Sequence, residues 1–87
     1  MANEPETIIA TIEYTTEKIS IDMELSANLA VDKLTIKILE VLKNMYAELF
    51  SAWEKCRLIH NNRILNDSET MISAGIYDGG RIYVEQF

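Results

Sequence analysis

Arg57-Leu58-Ile59-His60-Asn61-Asn62-Arg63-Ile64-Leu65, followed by Gly75-Ile76 and then Arg81-Ile82-Tyr83-Val84, decides how this chain folds. The first segment reads as a third strand beginning near Lys55, a two-residue turn and a short fourth strand. Asparagine tolerates positive φ, so Asn61-Asn62 suits a tight hairpin turn. Asn66-Asp67-Ser68-Glu69-Thr70 is a polar loop, and Met71-Ile72-Ser73-Ala74 predicts a short helical turn ended by Gly75. Asp78-Gly79-Gly80 then turns the chain into a closing strand, Arg81 to Glu85. Alternation places Cys56, Leu58, Ile82 and Val84 inward, and Arg57, Ile59, Arg81, Tyr83 and Glu85 outward.

Upstream, apolar residues recur at every second position from Thr7 to Tyr14 (Ile8, Ala10, Ile12, Tyr14), the mark of a half-buried strand. After the polar turn Thr15-Thr16-Glu17-Lys18, the run Ile19 to Leu25 alternates with Ser20, Asp22 and Glu24 turned to water. The two strands read as a hairpin with one wet face. Ser26 to Ala30 is a connection in which Asn28 could help to start a helix. From Val31 the period becomes helical: Val31, Leu34, Ile38, Val41, Leu42, Met45 and Leu49 share one face, with Ile36 and Leu39 well off it. No Gly or Pro stops this helix, so its end falls anywhere between Asn44 and Trp53. Residues 1–6 are polar, hold the only proline and are expected to be a disordered lead; residues 7–87 form the domain. The order β-β-α-β-β-β with one long helix defines an α+β class.

Eighty-seven residues allow one domain. A chain this short buries only about 60–65% of its unfolded surface, so the 48% hydrophobic content must supply one small core. A formal charge of -6, with eight scattered basic residues, argues against nucleic acid, which is bound through clustered Lys and Arg. The same electrostatics disfavours an anionic membrane surface. No apolar run approaches the roughly 20 residues needed to span a bilayer. The acidic N-terminus has no apolar signal region. The single Cys56 cannot form an intramolecular disulfide and fits a reducing compartment. Cytoplasm is the expected location.

Catalytic chemistry finds little to stand on. Cys56 and His60 are four positions apart on a strand, roughly 13 Å at about 3.3 Å per residue, so they cannot form a dyad. Nor do two residues make a zinc site, which wants about four clustered ligands. Cys56 reads as a small core residue and His60 as a surface one. Asp22 and Glu24 point outward, where charges on an edge strand discourage pairing with other chains. Asp67 and Glu69 lie in a loop, and no apolar pocket raises either pair's pKa. There is no Gly-Lys-Ser/Thr phosphate loop. No catalytic, cofactor or metal site is expected.

With these elements in place, Thr7 to Phe87 resembles the ubiquitin superfamily, whose β-grasp sets about five strands in the order 2-1-5-3-4 on one long helix. Within it, Asp22-Met23-Glu24-Leu25-Ser26-Ala27-Asn28-Leu29-Ala30-Val31-Asp32-Lys33-Leu34 is similar to the YukD/EsaB family. Those small proteins accompany type VII (ESX-type) secretion systems of Gram-positive bacteria. Ser26 and Ala30 stand where prolines are common in that family, and Gly75-Ile76-Tyr77-Asp78-Gly79-Gly80 echoes its Gly/Gln-Ile-x-Asp-Gly-Asp ending. The resemblance implies a cytosolic accessory or regulatory component of a secretion machine, without conjugating activity or cofactor. A diglycine is the reactive signature of ubiquitin and of sulfur carriers, yet here seven residues follow Gly79-Gly80. The expectation is a module that docks rather than one that is transferred. The alternatives are a generic ubiquitin-like adaptor or enzyme accessory subunit, and a sulfur carrier or modifier processed after Gly80 at the expense of its closing strand.

In the β-grasp order the third and fifth strands are neighbours, which brings Ile59 near Tyr83. Ile59 matches the central isoleucine of ubiquitin's recognition patch, Tyr83 stands at its histidine, and Glu85 replaces an aliphatic member. An aromatic beside an aliphatic group and an arginine has the composition of an interface anchor. Arg57, Ile59 and Tyr83 are therefore the first candidates for partner binding. The outer helix flank, with Ile36 and Leu39 and Tyr46 beyond them, is the second. Trp53 is expected to cover one end of the core. A weak homodimer through the helix flank or Phe87 is left open.

Overall fold

The computed structural model describes residues 6–87. Five strands form one sheet in the order β2-β1-β5-β3-β4, the β-grasp order. Residues 1–5 of the expected lead lie outside the described residues, and Glu6 accepts the Ala27 N–H through its carbonyl at 2.9 Å.

Strands β1 (Thr7–Tyr14) and β2 (Ile19–Ser26) are antiparallel, with Ile8 opposite Leu25, Ile12 opposite Ile21 and Tyr14 opposite Ile19. Because side chains alternate, this register turns Ile8, Ala10 and Ile12 into the core and leaves Ser20, Asp22 and Glu24 in solvent. The strands are joined by a short 3-10 turn, Thr15–Glu17, closed by Lys18 at φ 56°. Strand β3 (Cys56–His60) turns through Asn61 and Asn62, φ 52° and 62°, into β4 (Arg63–Ile64). Two consecutive positive φ values are the pattern of a type I′ turn, which matches strand twist and favours Asn.

Helix α1 (Val31–Met45) lies across the sheet. Asn28 does not start it: Ala30 is the N-cap and offers no side-chain bond. The exposed helix donors are instead met by loop carbonyls, Val31 N–H to Glu69 O at 2.7 Å and Asp32 N–H to Asp67 O at 3.1 Å. The helix ends at Met45; Tyr46, at φ -136° and ψ 60°, breaks it, and one further turn follows, α2 (Ala47–Phe50). In an unbroken helix Phe50 would sit about 80° round from Leu42, at 100° per residue. The break swings Phe50 and Trp53 into the core, where Phe50 lies 4.9 Å from Trp53 and 5.4 Å from Tyr14 between ring centroids. Two residues expected on the buried stripe, Met45 and Leu49, are left exposed by the same break, and Val41 is only half-buried.

The segment before the last strand is a single capped turn. Thr70 and Ser73 exchange hydrogen bonds, Ser73 N–H to Thr70 Oγ1 at 3.0 Å and Thr70 N–H to Ser73 Oγ at 2.9 Å, in the manner of a capping box. At its other end Gly75 has φ +77°, with Ile76 N–H bonded to Met71 O and Gly75 N–H to Ile72 O. That is a Schellman motif, and its two hydrophobic ends, Met71 and Ile76, are buried. Strand β5 (Arg81–Gln86) then runs between β1 and β3, parallel to the first and antiparallel to the second. Ile82 and Val84 point beneath α1, inward as alternation requires.

Candidate docking face

The helix covers one face of the sheet, so outward residues of the strands make up the other. Glu13 of β1 pairs with Tyr83 of β5, Tyr83 with Ile59 of β3, and Ile59 with Ile64 of β4. Residues directly opposite across strands stand about 4.5–5.5 Å apart at Cβ, so Tyr83, Ile59 and Ile64 form one apolar strip. Tyr83 is 36% exposed, Ile64 is 49% exposed and Ile59 is half-buried between them.

Ion pairs bound the strip on both sides. Arg57 lies 2.6 Å from Glu85 through Nη2 and donates a second bond from Nε at 2.8 Å. Its guanidinium also sits 5.0 Å from the centre of the Phe87 ring, a cation–π contact. On the other side Arg81 Nε is 3.3 Å from Glu13 Oε2. Both arginines of this face are thus occupied by their own sheet.

Ile59 and Tyr83, adjacent by expectation, are adjacent in the structure. Arg57 is beside them but tied to Glu85 and Phe87. The helix flank does not hold together as a patch: Ile36 is 65% exposed, whereas Leu39 is only 6% exposed and belongs to the core. Leu39 is covered because α1 packs towards β3 as well as over the sheet centre, as the Cys56 thiol reaching the Thr35 carbonyl at 3.6 Å shows. Tyr46 is half-buried against Phe50, at 6.4 Å between centroids. Ile64 was absent from the candidates. The signal for it was the turn length, since a two-residue turn at Asn61-Asn62 sets Ile64 opposite Ile59.

Cys56, His60 and the diglycine turn each make contacts within the fold. Cys56 is buried, and burial pushes its thiol up to about 11, so the nucleophilic thiolate is scarce at neutral pH. The His60 ring donates from Nδ1 to the Arg81 carbonyl at 3.0 Å. Asp78-Gly79-Gly80 is fastened to β1: Ile9 N–H donates to Asp78 Oδ1 at 2.8 Å, Gly79 N–H to Ile9 O at 2.9 Å, and Thr11 N–H to Gly80 O at 2.8 Å. Among the described residues, no group of three His, Cys, Asp or Glu side chains could hold a metal, and no helix is long and apolar enough to cross a membrane.

No family model matches the sequence, and no curated protein does. Solved structures do. The EccD5 ubiquitin-like domain from Mycobacterium xenopi has a TM-score of 0.78 at 17% identity, over 95% of this chain and 97% of that one. A chain of the MycP5-free ESX-5 inner membrane complex also has a TM-score of 0.78, at 20% identity over 95% of this chain. This chain spans only 21% of that one's length. The ubiquitin-like domain of the Mycobacterium tuberculosis type VII secretion system protein EccD1 has a TM-score of 0.65 at 18% identity, over 90% and 96% of the two chains. At such identities the shared property is the ubiquitin-like fold.

Proposed function

We propose that this ubiquitin-like domain is a docking module of a type VII secretion system, acting from the cytosol on a protein component of that machine. The observation that carries the docking role is the strip Tyr83–Ile59–Ile64, apolar and solvent-facing, between ion pairs already satisfied within the sheet. Exposed aromatic and aliphatic groups side by side on a rigid sheet face, flanked by polar groups, have the composition of a protein interface. The secretion role is supported by the likeness to EccD ubiquitin-like domains and by the YukD/EsaB-like segment from Asp22 to Leu34. A small accessory protein of the YukD/EsaB kind is the finer reading.

A modifier role would need a free terminal glycine. Gly79 and Gly80 are instead bonded to β1 and precede β5, whose Ile82 and Val84 are core residues. Cleavage after Gly80 would remove that strand.

The test is affinity purification of the tagged full chain from its native cells. Co-purification of a type VII secretion component is expected. Ile59→Asp and Tyr83→Ala should lower capture by about tenfold or more, the size of an interface hot spot, while thermal stability holds. A matching fall in stability for both variants would place these residues in the fold alone. A mass adduct, or truncation after Gly80, would support the modifier instead.

A further inference from the structure

The outer face carries one more exposed apolar side chain, Ile9 of β1, which is 52% exposed. It lies across from Glu24 on β2, with Thr11 and Asp22 as the next outward pair. Three exposed carboxylates surround this part of the face, and each is held in place by one donor. Thr11 Oγ1 donates to Asp22 Oδ1 at 2.8 Å, Thr7 Oγ1 to Glu24 Oε2 at 3.0 Å, and the Ile9 N–H to Asp78 Oδ1. The ion pairs found among the described residues use Glu85, Glu69 and Glu13, and none uses these three. The sheet's two outward arginines are already paired with Glu85 and Glu13.

Beyond the Arg81–Glu13 pair that bounds the apolar strip, the same face carries a quadrant of negative charge with no cation paired to it among the described residues. We infer that the segment this face accepts is cationic, with an apolar anchor over Tyr83 and Ile59 and Lys or Arg side chains meeting Asp22, Glu24 and Asp78. This rests on the docking role proposed above and narrows the class of partner. Asp22 is two strand spacings across and two residues along from Tyr83, and Glu24 is two residues further, roughly 12 and 16 Å away, so an extended segment of about six residues can reach both parts. Carboxylates already oriented by hydroxyl and amide donors need little reorganisation on binding. Their charge would speed encounter with a basic segment and repel an acidic one.

The experiment titrates the full chain with a short amphipathic peptide of Lys, Leu and Ala, and with its counterpart carrying Glu for every Lys, followed by amide chemical shifts. The Lys peptide is expected to shift Ile9, Thr11, Ile59 and Tyr83, and the Glu peptide to shift none. Affinity should fall steeply as salt rises to about 0.3 M. The variant Asp22→Asn with Glu24→Gln keeps acceptor oxygens for Thr11 and Thr7, and should lose roughly fivefold to tenfold in affinity with stability unchanged. Glu40→Gln with Glu48→Gln makes the same charge change on the helix side and should lose little.

Equal losses in the two double variants would mean attraction to net charge alone and would overturn the inference. So would shifts confined to another surface, or no binding. Concentration-dependent self-association that Asp22→Asn with Glu24→Gln abolishes would assign the face to a second copy, overturning it too. If a native partner is lost with Ile59→Asp but retained by that double variant, the docking role stands and the cationic partner falls.

Discussion

A methyl group on Gly80 would stand 2.7 Å from Ile76 Cγ2 and 2.9 Å from the Tyr77 carbonyl oxygen, closer than side chains tolerate. Gly75 differs: nothing lies within 4 Å of its missing Cβ, but its φ of +77° strains any other residue. The two glycines are required for separate reasons, one by space and one by backbone conformation. Gly80→Ala should cost about 1–3 kcal/mol through overpacking, and Gly75→Ala about 1–2 kcal/mol through the left-handed conformation alone. Urea denaturation of both variants checks this. Gly75→Asn should recover part of the second loss, because Asn adopts positive φ more readily, whereas Gly80→Asn should recover nothing.

At the scale of elements, strands were legible in the sequence and the helix exit was not. Alternation at Ile8, Ala10 and Ile12, or at Ile82 and Val84, reports a strand directly, because period two needs only the chain's own geometry. The halt at Met45 has no local signal, since neither Gly nor Pro is near; it follows from burial of Phe50 and Trp53 against Tyr14, a contact made from another part of the chain. Leu39 lies at the margin of the helical stripe, where a wide buried stripe absorbs it but not Ile36: one helix packed against two regions buries a wider stripe than one lying on a flat sheet. Of the docking strip, Ile59 and Tyr83 came from strand order, while Ile64 required following the turn register one step further. Phe50→Ala should therefore destabilise by about 3–5 kcal/mol. Met45→Lys and Leu49→Lys, on the predicted stripe but solvent-facing, should stay within about 0.5 kcal/mol of the parent protein. Thermal melts of the three variants separate the broken helix from a continuous one.

Across the whole molecule, the loop from Asn66 to Glu69 fastens the sheet edge to the helix start. The Glu69 carboxylate takes two bonds from Arg63, at 2.7 and 2.9 Å, and one from the Asn66 N–H at 2.8 Å, while its carbonyl receives Val31. The Arg63 bonds first, then the Asn66 amide, lower its carboxyl from the ordinary 4.5 to about 2. A carboxylate depressed in the folded state stabilises fully above the unfolded value and loses that contribution as pH falls towards the folded one. Stability should thus decline between about pH 4.5 and 2, and Glu69→Gln should flatten that part of the melting profile while leaving its shape near neutrality unchanged.

Strands β1 and β5 lie side by side and run the same way, their backbone bonds joined in register at Ile12 and Ile82. If the start of β1 and the end of β5 were drawn apart inside a moving machine, the tension would load that ladder in shear, straining its bonds together instead of opening them one by one. The domain is thereby suited to carry mechanical load along its central pair of strands.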